Sequence, residues 1–285
     1  MARGGRGTGR RPVSGDIISA LAVLGLVLGV SFLPPDTSLQ LIRESGTLRV
    51  CVPPSYPPLV NSVGDPDAPG YDIELIREIA DRLDLRVSFA TNQAITRDFN
   101  PRSWGITRAQ CQLIAGGVVA SPTTRSFLDT SPAYLQTGWA IVSPGPIQSL
   151  AGVSVGFFAG LSGLDRLGLS RYLRQAGADI VVVSSREALI EGIASGRLAA
   201  GVTEALTART IAGDVEEWGV VTWMPDSLGR YDIAIGLWKG DLTLKRAIAD
   251  IVYDLTAEGF LLTLDAKYDI AQIERTLLSE TLTQR

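Results

Sequence analysis

Apolar residues along this chain recur in two rhythms, and the change from one to the other marks out its elements. Short, nearly continuous apolar runs at residues 47–52, 85–90, 111–119 and 135–142 read as strands. After the turn sequence Asp65-Pro66-Asp67-Ala68-Pro69-Gly70, the residues Ile73, Ile76, Ile79, Ala80 and Leu83 return at the spacing of one helix face. Residues 36–46 read as a short amphipathic entry, and residues 91–110 as a polar connection holding Phe99 and Trp104. Pro144-Gly145-Pro146 then breaks the pattern as a linker. A second series follows it, with strands at 153–157, 180–183 and 199–202, helices ending at Gln175 and spanning 186–195, and a further helix. Strand and helix alternate in both series, which predicts an α/β chain with doubly wound sheets. Leu244, Ile248, Ile251, Val252 and Leu255 place closing helices within residues 242–270.

The first 35 residues stand apart. Arg3, Arg6, Arg10 and Arg11 precede a run without charge, residues 17–33, which ends at Pro34-Pro35. This is a signal peptide or a signal anchor. The run exceeds the roughly 7–15 residues of a secretory core, Val30-Ser31-Phe32 is a poor cleavage sequence, and about 17 residues is the lower limit of a spanning helix. The reading leans to an uncleaved inner-membrane anchor, its basic flank cytoplasmic and the bulk of the chain periplasmic.

Composition removes several classes of chemistry. The chain has no histidine, which excludes Ser-His-Asp and Cys-His catalysis and most zinc or non-haem iron sites. No metal or cofactor is expected. Its 26 basic residues face 30 acidic ones and only Lys239, Lys245 and Lys267 are lysines, so no basic face is available for nucleic acid.

The stretch after Cys111 is where chemistry concentrates. A buried strand ends in Gly116-Gly117 and opens onto a polar loop, Ser121-Pro122-Thr123-Thr124-Arg125, at the strand end where open α/β sheets bind ligands. The glycine-rich segment 156–163 is neither a P-loop nor a dinucleotide fingerprint. Placed before a helix, it can hold a carboxylate through backbone N–H groups. Asp72 and Glu74, in a first helical turn, read as structural acids that favour the helix dipole.

Three segments in order resemble the family 3 bacterial extracellular solute-binding proteins: Gly70-Tyr71-Asp72-Ile73-Glu74-Leu75, the Ser-Pro, Arg and Leu128-Asp129-Thr130-Ser131-Pro132 series after Cys111, and Gly196-Arg197-Leu198-Ala199-Ala200-Gly201-Val202-Thr203-Glu204. The resemblance implies a type II-like periplasmic binding protein. Its lobe 1 would take residues 46–142 and 231–285 and its lobe 2 residues 146–230, joined by two hinge strands crossing near Gly138 and Asp232. It further implies that Tyr56 and Phe99 wall the ligand pocket, that Gly117 and Ser121 line it, and that Ser162 and Gly163 hold a carboxylate. Arg125 would clamp that carboxylate and Glu204 the ligand's ammonium, a fork-shaped cation suiting the former. Arg125 stands one residue later than the family arginine, with Thr124 in its place, and Leu161 replaces a hydroxyl. If the strands follow the family order, Cys51 and Cys111 lie on neighbours and a disulfide is possible; two buried thiols are the alternative.

The function so implied is a periplasmic receptor, not an enzyme, that closes around a polar amino acid or similar small organic ion and delivers it to an ABC permease. Two alternatives share the fold. One is a membrane-anchored accessory or sensor protein, such as the subgroup associated with quinoprotein dehydrogenases or another membrane complex. The other is a periplasmic dehydratase with Glu204 as general acid.

Overall fold

The computed structural model describes residues 14–31, 36–98, 100–161, 163–215 and 220–270, in two compact units, residues 1–36 and 37–285. Among the described residues, the first unit contains the helix α1 (Ser14–Ser31). Asp16 lies in its first turn, so at about 1.5 Å per residue its apolar part spans roughly 22 Å, short of a hydrocarbon core of about 30 Å. No helix among the described residues is long and apolar enough to cross a membrane. The expected anchor therefore has no support here, and residues 32–35, on which its length depended, lie outside the described residues.

The second unit opens with α2 (Ser38–Ser45), β1 (Thr47–Val52), α3 (Tyr71–Arg82) and β2 (Arg86–Thr91). The expected polar connection contains a short helix, α4 (Ala94–Arg97), and a 3-10 turn before β3 (Leu113–Val119), every residue of which is buried. The loop expected to carry Arg125 is instead a helix, α5 (Pro122–Phe127). Ser121 caps it, accepting the Thr124 N–H, and Pro122 fills the first position, where its missing N–H costs nothing. A short strand that the pattern did not show, β4 (Leu128–Thr130), leads to β5 (Leu135–Ser143). The second series then runs β6 (Ser154–Phe157), α6 (Arg166–Gln175), β7 (Asp179–Val182), α7 (Arg186–Ala194), β8 (Ala200–Glu204), α8 (Ala205–Asp214) and β9 (Val220–Trp223). The chain closes with β10 (Arg230–Trp238), α9 (Leu242–Ala257) and α10 (Phe260–Lys267).

Strand order is β2-β1-β3-β10-β5-β8-β6-β7, with β4 on β10 and β9 on β5. The β1–β2, β1–β3, β6–β7 and β6–β8 pairs are parallel, and β5 and β10 run against their neighbours. Residues Leu135 to Gly138 of β5 pair with β10, whereas Trp139 to Ser143 pair with β8 or β9. One strand is thus shared, and the change of partner falls between Gly138 and Trp139. Asp232 pairs with Gln136 in the same ladder, and the Gln136 amide donates to its carboxylate at 3.1 Å.

The helix faces read from the sequence are the ones buried. Ile73, Ile76, Ile79 and Ala80 of α3, and Leu244, Ile248, Ile251, Val252 and Leu255 of α9, pack into a main cluster that runs through both halves of the unit. A smaller cluster gathers Ile95, Trp104, Ile114, Val118 and Leu128 around Cys51 and Cys111, which are joined by a disulfide with Cα atoms 5.6 Å apart. The bond ties β1 to the residues just before β3.

Candidate functional site

The carboxyl ends of β1 and β3 in one half face those of β6 and β8 in the other, and a seam runs between them. Its charged centre is Glu204, the last residue of β8 and the N-cap of α8, with no exposed surface. A buried carboxylate needs donors at both oxygens. Oε1 accepts from the Tyr56 hydroxyl at 2.8 Å and the Thr207 N–H at 2.6 Å; Oε2 accepts from the Thr137 hydroxyl at 2.6 Å and the Leu206 N–H at 2.9 Å. Two donors are the free amides of the first turn of α8, one belongs to the shared strand β5, and one reaches over from the loop after β1. Thr207 also donates its hydroxyl to the Tyr56 oxygen at 2.8 Å. Burial above all, and then the Glu204 charge, push the Tyr56 phenol well above its ordinary value, so it stays an O–H donor.

Close approach at the seam depends on glycines at 117, 160 and 163. A Cβ on Gly160 would stand 2.8 Å from the Tyr56 hydroxyl and 3.2 Å from Glu204 Cγ. At Gly117, where φ is +90°, a Cβ would stand 2.3 Å from Leu161 Cδ2. Gly163 approaches Ser121, Thr124 and Val119, so the glycine-rich loop after β6 lies directly on the start of α5. The loop at Gly116-Gly117 is fixed from behind by Asp72, whose Oδ2 accepts both N–H groups, at 2.6 and 3.0 Å, and the Tyr134 hydroxyl at 2.7 Å. Asp72 is structural, as read, but through a different contact. It is fully buried under the loop rather than set at the surface for the dipole. Burial raises its carboxyl from 3.8 to about 6 despite those bonds.

Of the residues anticipated for the site, Tyr56, Gly117, Ser121, Gly163 and Glu204 come together at this seam. Arg125 does not join them. It is exposed in the last turn of α5 and makes no hydrogen bond or ion pair with Glu204, while Thr124, one position earlier, is buried against Gly163. The helical turn at 122–127, absent from the expectation, separates these neighbours onto different faces. Phe99 and Ser162 lie outside the described residues. A cation near the seam is Arg166, at the start of α6, close enough to Tyr56 and Asp98 for charge to act between them and held below its ordinary value by burial. A basic residue in a first helical turn opposes the helix dipole, and that signal was legible. Thr137 and Thr207 carried none. Beyond Tyr56 the seam opens into a cleft of about 690 Å³, lined among others by Ser55, Phe158, Ser184 and Arg186. Among the described residues no group of three or more His, Cys, Asp or Glu side chains could hold a metal ion.

Comparison with known proteins agrees with this fold. Residues 48–270 match the family described as bacterial extracellular solute-binding proteins, family 3. The L-cystine-binding protein TcyJ of Escherichia coli K12 is 22% identical over 281 residues, 94% of this chain and 98% of its own. Among solved structures, the amino acid ABC transporter substrate-binding protein AbpA of Streptococcus pneumoniae, bound to L-arginine, superposes with a TM-score of 0.64 at 20% identity, over 82% of this chain and 99% of its own. The ancestral amino acid-binding protein AncCDT-1, a precursor of cyclohexadienyl dehydratase, gives 0.60 at 20% identity, over 81% and 98%. At these identities the superpositions show a shared fold.

Proposed function

This chain belongs to family 3 of the bacterial extracellular solute-binding proteins, and from that premise we propose that it is a periplasmic receptor that shuts around a polar amino acid or similar small organic ion and passes it to an ABC permease. The observation that carries the reading is the bond from Tyr56 to Glu204, which joins the two halves through a buried carboxylate at the strand ends. The Glu204 carboxylate suits an ammonium that displaces the Tyr56 hydroxyl, and the Arg166 guanidinium nearby suits a carboxylate. We therefore assign the clamp to Arg166 rather than Arg125. The shared strand β5 and the neighbouring β10 supply the hinge for closure. Glu204 accepts hydrogen bonds at both oxygens, the part of an acceptor in binding.

A thermal-shift screen of the exported part against the L-amino acids tests the reading. A ligand at 100 times its dissociation constant adds about 2.7 kcal/mol of stability, so at least one should raise the midpoint clearly. A flat screen would favour the second reading, an accessory or sensor protein that hands over no solute. One observation supports that alternative: the seam is already filled by Tyr56 and Leu161 of the protein itself.

A further inference from the structure

Leu161 belongs to the glycine-rich loop of the second half, yet it is only 1% exposed and lies over Gly117 of the first. Its Cδ2 is 2.3 Å, and Leu59 Cδ1 3.0 Å, from the point a Gly117 Cβ would occupy. Leu59, Val119, Leu161 and Leu164 belong to one buried apolar cluster. The space that a side chain at Gly117 would take is filled from across the seam by Leu161, with Leu59 beside it. On the other side of Tyr56 the cleft stays open beside Phe158 and Arg186. Resting on the receptor reading above, we infer that Leu161 is the specificity-determining residue of the seam. It occupies the volume over Gly117, so ligands must place their bulk on the Phe158 side, and those needing room at Gly117 are rejected.

The test is calorimetric titration of each L-amino acid into the wild type, Leu161→Ala and Leu161→Met. Extra room of a methylene or more in an apolar pocket is worth about 10–200-fold. Leu161→Ala should therefore bind at least one amino acid tenfold or more tightly than the wild type does, and Leu161→Met, similar in volume, should keep the wild-type profile. Identical profiles in all three proteins, each with a native circular dichroism spectrum, would overturn the inference while leaving the receptor reading in place. Absence of binding by any of the three would overturn both. Should Leu161→Ala fail to fold, Leu161→Val provides the same comparison with a smaller expected change.

Discussion

Replacing Asp72 by asparagine isolates the cost of a buried charge in this fold. The Asp72 carboxylate accepts three hydrogen bonds at Oδ2, while among the described residues its Oδ1 meets no donor and no cation offsets its burial. Its pKa accordingly rises from 3.8 to about 6 in the folded chain. Between about pH 4 and pH 6 the native protein holds a proton that the unfolded chain has released, so stability falls as pH rises through that window, and the penalty is fully present above it. A rise of about two units at about 1.36 kcal/mol each is roughly 3 kcal/mol. The substituted amide keeps the accepting oxygen and cannot ionise. Its nitrogen, buried without an acceptor, adds a cost that does not depend on pH. Urea unfolding of both proteins at pH 4.5, 5.5, 6.5 and 7.5 reads the difference directly. About a third of that penalty is already present at pH 4.5, so relative to the wild type Asp72→Asn should gain roughly 2 kcal/mol between the lowest and highest pH. A stability difference that stays flat across the series would refute the account of Asp72 as a charge held by backbone amides against its own desolvation.

Other substitutions probe the seam and its supports. Tyr56→Phe removes one donor from the buried Glu204 carboxylate and should cost roughly 1.5–3 kcal/mol in thermal or urea unfolding; a loss under 0.5 kcal/mol would mean that the bond does not hold the halves together. Replacing both Cys51 and Cys111 by serine frees a loop closed over 60 residues, for which chain entropy alone gives about 4 kcal/mol, readable as a lowered denaturation midpoint in non-reducing buffer. Arg125→Ala should change stability by no more than about 0.5 kcal/mol and leave any amino acid response intact, because the side chain is exposed; loss of that response would return the clamp to Arg125.

Much of the fold was legible because apolar spacing is set by burial, and burial here follows two simple sheets. The bounds of β1 match the run at 47–52, and the buried faces of α3 and α9 are those read from spacing. Glu204 was legible as well, since an acid that ends a buried strand just before a helix is in position both to cap and to face a cleft. The rest depended on relations that spacing does not carry. Whether Thr124 or Arg125 turns inwards is decided by one short helix capped at Ser121, and a Ser-Pro pair serves a loop or a helix start equally well. That Leu161 lies over Gly117 follows from two loops about 45 residues apart meeting in space, which no local pattern encodes. Asp72 looked like an ordinary acid at a helix start because its partners, Gly116, Gly117 and Tyr134, come from elsewhere in the chain.

The claim that most depends on this geometry is that a solute is held in the seam between the strand ends. Hydrogen–deuterium exchange of the wild-type protein, with and without the amino acid giving the largest thermal response, locates the solute without altering any residue. Slower exchange at residues 56–60, 160–163 and 204–207 is the expected result. Protection confined to other segments, with those three unchanged, would place the solute outside the seam and contradict the account.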